Sequence, residues 1–185
     1  MVHGAREIEI KLAVPDAPTA RSKLRSVGFA VVRRRVFETN VVFDTPGLAL
    51  RRTARLLRLR QAGRIATLTY KGQPEVARHK SREEVESEVS DRDALGTVLE
   101  RLGFLPVFRY DKYRTEYRQG GRGGVAMLDE TPIGVFIELE GTPAWIDRSA
   151  RRLGFSEADY ITSSYGRLYL EWCRRQHRKA ADMVF

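Results

Sequence analysis

From Arg6 to Val14 the chain alternates without a break, with Glu7, Glu9 and Lys11 on one side and Ile8, Ile10 and Leu12 on the other. Successive side chains of an extended backbone point to opposite faces, so the segment predicts a strand with one charged and one apolar face. Similar strand-like runs occupy residues 30–43, 55–61, 65–71, 81–89, 106–119, 125–130 and 135–141. Ala62-Gly63 and the stretch Gly120-Gly121-Arg122-Gly123-Gly124 read as hairpin turns, because glycine tolerates the positive φ such turns require, and most of the sheet is then antiparallel. The second stretch is as glycine-rich as a phosphate-cradling loop, but it lacks a Lys-Ser/Thr ending and leads into no helix.

Short helices separate the strands. Asp16, Asp91 and Asp147 suit N-cap or first-turn positions, and Gly28, Gly103 and Gly154 suit the position just past a helix end. Phe29, Phe104 and Phe155 follow those glycines, so the same event, an apolar helix end turning back onto the core, is written three times. Each helix also follows a strand with two alternate glutamates: Glu7 and Glu9, Glu86 and Glu88, Glu138 and Glu140. This is a repeated strand–helix unit within one sheet system, and residues 1–185 suit a single domain. Tyr165, Leu168, Tyr169 and Trp172 lie at helical spacing in a last helix over 163–175, where packing is their expected role. Beyond it, residues 174–185 form a basic tail whose start, Arg174-Arg175-Gln176-His177-Arg178-Lys179, reads as the solvated end of that helix.

The charged strand faces carry Glu7, Glu9 and Lys11; Arg58 and Arg60; Lys71; Arg82, Glu84, Glu86 and Glu88; Lys112, Arg114 and Glu116; Asp129; and Glu138 and Glu140. On any one strand such a face is simply the solvated side of a sheet. Here the opposite faces are strongly apolar, as in Leu57 and Leu59 or Val135, Ile137 and Leu139, and several helices are available to cover them. The expectation is an α+β fold: a closed or nearly closed antiparallel eight-stranded barrel with a polar, charged lumen and helices packed outside. Crowded carboxylates raise one another's pKa or bind a cation, and clustered guanidinium and ammonium groups need anions. A polyphosphate carrying a divalent metal meets both needs.

A formal net charge of +9 favours a polyanionic partner: nucleic acid, membrane surface, nucleotide or polyphosphate. Acids interleaved with the arginines argue against nucleic acid. No apolar run is long enough to cross a bilayer, residues 1–6 lack a secretory apolar stretch, and the lone Cys173 has no disulfide partner. A soluble cytoplasmic protein is expected.

Glu7-Ile8-Glu9-Ile10-Lys11 resembles the N-terminal ExExK signature of the CYTH family, the triphosphate tunnel metalloenzymes. Leu57-Arg58-Leu59-Arg60, Leu68-Thr69-Tyr70-Lys71, Arg82-Glu83-Glu84-Val85-Glu86, Lys112-Tyr113-Arg114, Leu128-Asp129 and Phe136-Ile137-Glu138-Leu139-Glu140 follow in that family's order, from about Arg6 to Trp172. The resemblance implies Mg²⁺ or Mn²⁺ held by Glu7, Glu9, Glu138 and Glu140, with help from Asp129 and from Glu84 and Glu86. It implies a triphosphate bound by Lys11, Arg58, Arg60, Lys71, Arg82, Lys112 and Arg114, and a catalytic set of Glu7, Glu9, Lys11, Glu138 and Glu140. Phosphoryl transfer agrees with this, since it asks for charge neutralisation and positioning rather than a covalent nucleophile. The family includes class IV adenylyl cyclases, thiamine triphosphatases and inorganic triphosphatases, so a triphosphate hydrolase is the leading reading and a cyclase making cyclic AMP the alternative. A binding module without turnover ranks third, and a homodimer is a family analogy that no residue establishes.

Other residues fall outside this set. His79 and Lys80 read as an exposed turn, and His3 and His177 as inert chain-end residues. Arg33-Arg34-Arg35 puts arginines on both faces of one strand, which suits rim or dimer contacts.

Overall fold

The computed structural model describes residues 5–120 and 123–185; His3, the rest of the N-terminal segment through Gly4, and Gly121-Arg122 of the glycine stretch lie outside the described residues. The strands are β1 (Ala5–Val14), β2 (Ala30–Asp44), β3 (Leu56–Ala62), β4 (Ile65–Lys71), the two-residue β5 (Glu75–Val76), β6 (Lys80–Val89), β7 (Leu105–Arg118), β8 (Gly124–Thr131) and β9 (Gly134–Gly141). All pair antiparallel in the order β1-β9-β8-β7-β2-β3-β4-β6, with β5 paired to the start of β6 on the edge opposite β1. β6 returns to pair with β1, Glu7 opposite Arg82 and Glu9 opposite Lys80, so eight strands close into the expected barrel.

Helices α1 (Ala17–Ser26), α3 (Arg92–Arg101) and α4 (Pro143–Arg152) pack outside, with the single turn α2 (Ala49–Arg52) after β2 and α5 (Tyr165–Arg175) near the chain end. Asp16 and Asp91 cap α1 and α3 by accepting from Thr19 N–H and Ala94 N–H. The reading of Asp147 is corrected: Thr142 is the N-cap of α4, its hydroxyl accepting from Trp145 N–H, and Pro143 begins the helix with its φ already set. Asp147 instead lies inside α4, buried.

The three glycine–phenylalanine ends behave as the sequence suggests. Gly28, Gly103 and Gly154 have φ of +88°, +88° and +83°, and the following Phe29, Phe104 and Phe155 N–H groups reach back to Leu24, Leu99 and Ala150 carbonyls. Beneath α1 and α4 the apolar strand faces bury Ile10, Leu12, Leu128, Ile137 and Leu139 completely against Leu24 and Ile146. Each such side chain contributes about 1.5–3 kcal/mol relative to exposure, so the barrel is held from outside and its lumen is free to be polar. Leu59 of β3 meets Leu99 of α3 in the same manner.

The helix α5 closes one end. Its Tyr165, Tyr169 and Cys173 join Tyr110, Phe136 and Met183 in a separate cluster, so the expected packing role of its aromatics is met. Residues 174–180 are exposed, and the chain then returns to β7, where Met183 exchanges backbone hydrogen bonds with Arg109 and Asp111. His177 ends α5 with a φ of 51°, the left-handed position that glycine fills elsewhere.

Candidate active site

Directly opposed residues of an antiparallel ladder share a face, and the register therefore decides what enters the lumen. Glu9 stands opposite Glu140 and Lys11 opposite Glu138 across β1–β9. Lys71 faces Glu84 and Thr69 faces Glu86 across β4–β6, Arg114 faces Asp129 across β7–β8, and Glu38 faces Lys112 across β2–β7. Arg58 and Arg60 come in from β3, opposite Thr69 and Thr67. The sequence-predicted site residues thus share the inward face of the barrel. Glu7, Glu9, Lys11, Arg58, Lys71, Lys112, Arg114, Asp129 and Glu138 are buried; Arg60, Arg82, Glu84 and Glu140 are half-buried, and Glu86 lies at an exposed rim.

Asp129 is the hub of the wall nearest α5. Wholly buried, it accepts from Lys112 Nζ at 2.7 Å, from Arg114 Nε at 2.7 Å and Nη2 at 2.6 Å, and from the Tyr165 hydroxyl at 2.8 Å. Burial would push its carboxyl up, but the Arg114 and Lys112 charges outweigh burial and hold it well below the usual range. Arg114 also donates to Glu138. With its oxygens engaged by four hydrogen bonds from three side chains, Asp129 fixes the two cations beside it.

On the facing wall, acids and bases interlock. Lys11 Nζ lies 2.9 Å from Glu138 Oε1 and 3.4 Å from Glu9 Oε1, and Lys80 Nζ lies 2.5 Å from that same Glu9 oxygen. Lys71 Nζ reaches both Glu7 oxygens at 2.7 and 2.8 Å and Glu84 at 3.0 Å, while Arg82 Nε is 3.3 Å from Glu7. Arg58 donates to Tyr110 Oη, Thr69 Oγ1 and Glu86 Oε1 at 3.1–3.3 Å.

These neighbours split the carboxylates into two kinds. For Glu9 and Glu138, burial favours the neutral acid, but nearby cations, Lys11 foremost, overcome it: Glu9 is held at about 2 and Glu138 far below the ordinary range. Glu140 has the opposite balance. Burial and then the charges of Glu7, Glu138 and Glu84 push it up to about 7, and Glu84 is likewise raised, chiefly by burial.

Such mutually repelling hard-oxygen donors suit a divalent cation, which would relieve what now raises Glu140 and Glu84. Among the described residues no three acids are yet gathered at metal-ligand spacing, because Glu7, Glu9 and Glu138 are each drawn to a lysine or arginine. The donor chemistry fits; the geometry requires those ion pairs to loosen.

Two lumen residues escaped the sequence reading. Glu38 is 1% exposed, 3.7 Å from Lys112 and 4.0 Å from Arg60, with neither oxygen hydrogen-bonded. Its signal was the Glu38/Asn40 alternation, obscured by register shifts between Val31 and Val36. Lys80 was expected in an exposed turn and is instead 4% exposed; the alternation Lys80, Arg82, Glu84 places it on the inward face. His79 is also corrected: its ring sits against Asp147 Oδ1 at 2.7 Å, and Arg78 and Tyr160 converge on the same carboxylate. Arg33 pairs with Glu116, which lies on the same face of β7 as Lys112 and Arg114, whereas Arg35 pairs with Glu130 on the opposite face.

Cations and anions thus neutralise each other within the lumen, and the excess positive charge sits outside. Arg25 on α1 and Arg148 and Arg151 on α4 are exposed there.

A family model described as the CYTH domain matches residues 5–165. A Methanocaldococcus jannaschii protein named as a candidate adenylate cyclase is 29% identical over 135 residues, covering 72% of this chain and 75% of its own. A Vibrio parahaemolyticus structure described as a candidate adenylate cyclase superposes with a TM-score of 0.76 at 21% identity, covering 89% of this chain and 98% of that one. A Hippeastrum structure, described as a candidate adenylyl cyclase with a dominant triphosphatase activity, superposes with a TM-score of 0.65 at 21% identity, covering 94% and 97%. At such identities the two structures bear on the fold alone.

Proposed function

The chain belongs to the CYTH domain family, and from that premise we propose that it is a divalent-metal-dependent phosphohydrolase that removes the terminal phosphate of a triphosphate held in its barrel. Inorganic triphosphate, a nucleoside triphosphate and thiamine triphosphate form the substrate class. The observation that carries this reading is the pairing of two unlike walls in one lumen: repelling carboxylates around Glu140 and a base cluster around Asp129.

The residues divide the work accordingly. Arg58, Arg60, Lys71, Arg82, Lys112, Arg114 and Lys11 bind phosphate oxygens, the guanidinium groups as two-pronged donors and the lysines as point charges. Asp129 keeps Lys112 and Arg114 aimed inward, contributing to the site through them. Glu7, Glu9, Glu138 and Glu140, with Glu84 and Glu86 at the rim, would hold Mg²⁺ or Mn²⁺, which neutralises phosphate charge and acidifies a bound water. On triphosphate binding, Lys11 and Lys71 would exchange carboxylate partners for phosphate oxygens, which loosens the hold on Glu138, Glu9 and Glu7 and leaves each with one basic partner, Arg114, Lys80 and Arg82. No side-chain nucleophile is needed, since positioning and charge stabilisation carry phosphoryl transfer.

A class IV cyclase is the second reading, favoured by the name of the M. jannaschii relative; the Hippeastrum protein is described as a triphosphatase on this same fold. Incubation with ATP and Mg²⁺ or Mn²⁺ separates them. ADP with phosphate supports the hydrolase, cyclic AMP with pyrophosphate the cyclase, and no product from ATP, tripolyphosphate or thiamine triphosphate refutes both. Among the described residues no helix is long and apolar enough to cross a membrane, and a cytoplasmic location fits the single free Cys173.

A further inference from the structure

We infer that Tyr165 is a positioning residue for Lys11 and Lys112, presetting both ammonium groups where the phosphate chain meets them; this rests on the triphosphate reading. The Lys11 Nζ lies 5.2 Å from the Tyr165 ring centroid and the Lys112 Nζ 5.1 Å. The phenol hydroxyl donates to Asp129 Oδ2 at 2.8 Å, the same oxygen that accepts from Lys112 at 2.7 Å. One side chain therefore touches both lysines through its ring and a partner of one of them through its hydroxyl.

Tyr165 is itself tightly placed. It is the first residue of α5, directly after the N-cap Ser164, and its ring meets Phe136 edge-on at 5.6 Å and Tyr110 at 6.4 Å. The segment leading into α5 is fastened to β1 by Ile161, whose N–H and carbonyl bond the carbonyl and N–H of Lys11, each at 2.9 Å. The strand position that supplies Lys11 is thus tied to the segment that delivers the ring above it.

A ring face attracts a cation electrostatically, and more strongly when both are shielded from water, as Lys11 at 2% and Lys112 at 2% exposure are. A lysine otherwise surrenders much rotamer freedom when it grips a ligand; a side chain already held in place has lost that freedom beforehand. Tyr165 needs no contact with substrate to act in this way.

The test begins on the ligand-free protein in chelator, where no turnover is involved. Proton NMR of the lysine side chains should find the methylenes next to Nζ of Lys11 and Lys112 displaced upfield by the ring. Tyr165→Phe keeps the ring and should keep both displacements, with KM for tripolyphosphate and Mg²⁺ within about twofold of the parent. Tyr165→Leu should abolish them and raise KM by about tenfold while kcat changes less. Melting curves read folding separately; should Tyr165→Leu not fold, the parent and Tyr165→Phe displacements decide. Ordinary lysine positions in the parent, or a folded Tyr165→Leu with unchanged KM, would overturn the inference. Failure of the parent to turn over any triphosphate would remove the proposed function instead, leaving the lysine displacements as they are.

Discussion

Glu9 and Glu140 stand directly opposite each other across the β1–β9 ladder, yet their surroundings drive them apart, holding Glu9 down to about 2 and pushing Glu140 up to about 7. The difference lies in their neighbours: Lys11 and Lys80 surround Glu9, whereas Glu7, Glu138 and Glu84 crowd the more buried-than-paired Glu140. One carboxylate is paired with lysines and the other is crowded by like charges.

A pH dependence of stability follows from Glu140. Its folded pKa is above its unfolded one, so the folded state binds more protons between the ordinary glutamate value and about 7, and stability falls as pH rises through that window. At about 1.4 kcal/mol per pKa unit the loss is roughly 3 kcal/mol. In chelator the melting midpoint should drop from pH 5 to pH 7, and Glu140→Gln should flatten that drop. An equal drop in the variant would assign the effect elsewhere.

Asp129→Ala should be among the most damaging single changes, because it leaves the Lys112 and Arg114 charges buried without their shared partner. Removing one member of a buried ion pair costs about 3–5 kcal/mol. Urea unfolding measures this; a loss under about 1 kcal/mol would mean that Asp129 does not hold the base cluster.

The barrel was legible in residues 6–14 because that strand alternates cleanly and its charged side could not be a water-facing one once the outer faces were covered. The helix ends were legible for a local reason, since glycine at positive φ followed by an apolar anchor is a short-range signal. Closure was less so: the β1–β6 pairing joins residues far apart in sequence, and neither strand advertises its partner. Glu38 was hidden by irregular pairing in β2, and Lys80 by an adjacent loop whose histidine proved to be packed on α4. The N-cap of α4 was misread at Asp147 although Thr142-Pro143 is a strong start signal.

Substitution of the bases proposed to bind phosphate should act on catalysis. Arg58→Ala and Lys71→Ala each remove charge-assisted hydrogen bonds worth about 1.5–3 kcal/mol, so kcat/KM for the preferred triphosphate should fall roughly tenfold to a hundredfold. Steady-state kinetics with saturating Mg²⁺ would show it. Unchanged kinetics in both variants would discredit the assignment of that wall.

In the proposed site Lys80 would compete with a metal ion for Glu9, its ammonium lying 2.5 Å from the carboxylate. Lys80→Met should therefore tighten Mn²⁺ binding, by roughly tenfold or about 1.4 kcal/mol, in calorimetry without substrate. Weaker binding would instead make Lys80 a support for the Glu9 geometry.

Crystals of the protein grown with Mn²⁺ and tripolyphosphate, with anomalous scattering recorded at the manganese edge, test the whole account most directly. The predicted result is manganese inside the barrel, at about 2.1 Å from carboxylate oxygens of the Glu7, Glu9, Glu138 and Glu140 group, with phosphate oxygens against Arg58, Arg60, Lys112 and Arg114. Manganese and tripolyphosphate found only on the outer arginines of α1 and α4, with the lumen ion pairs unchanged, would contradict it.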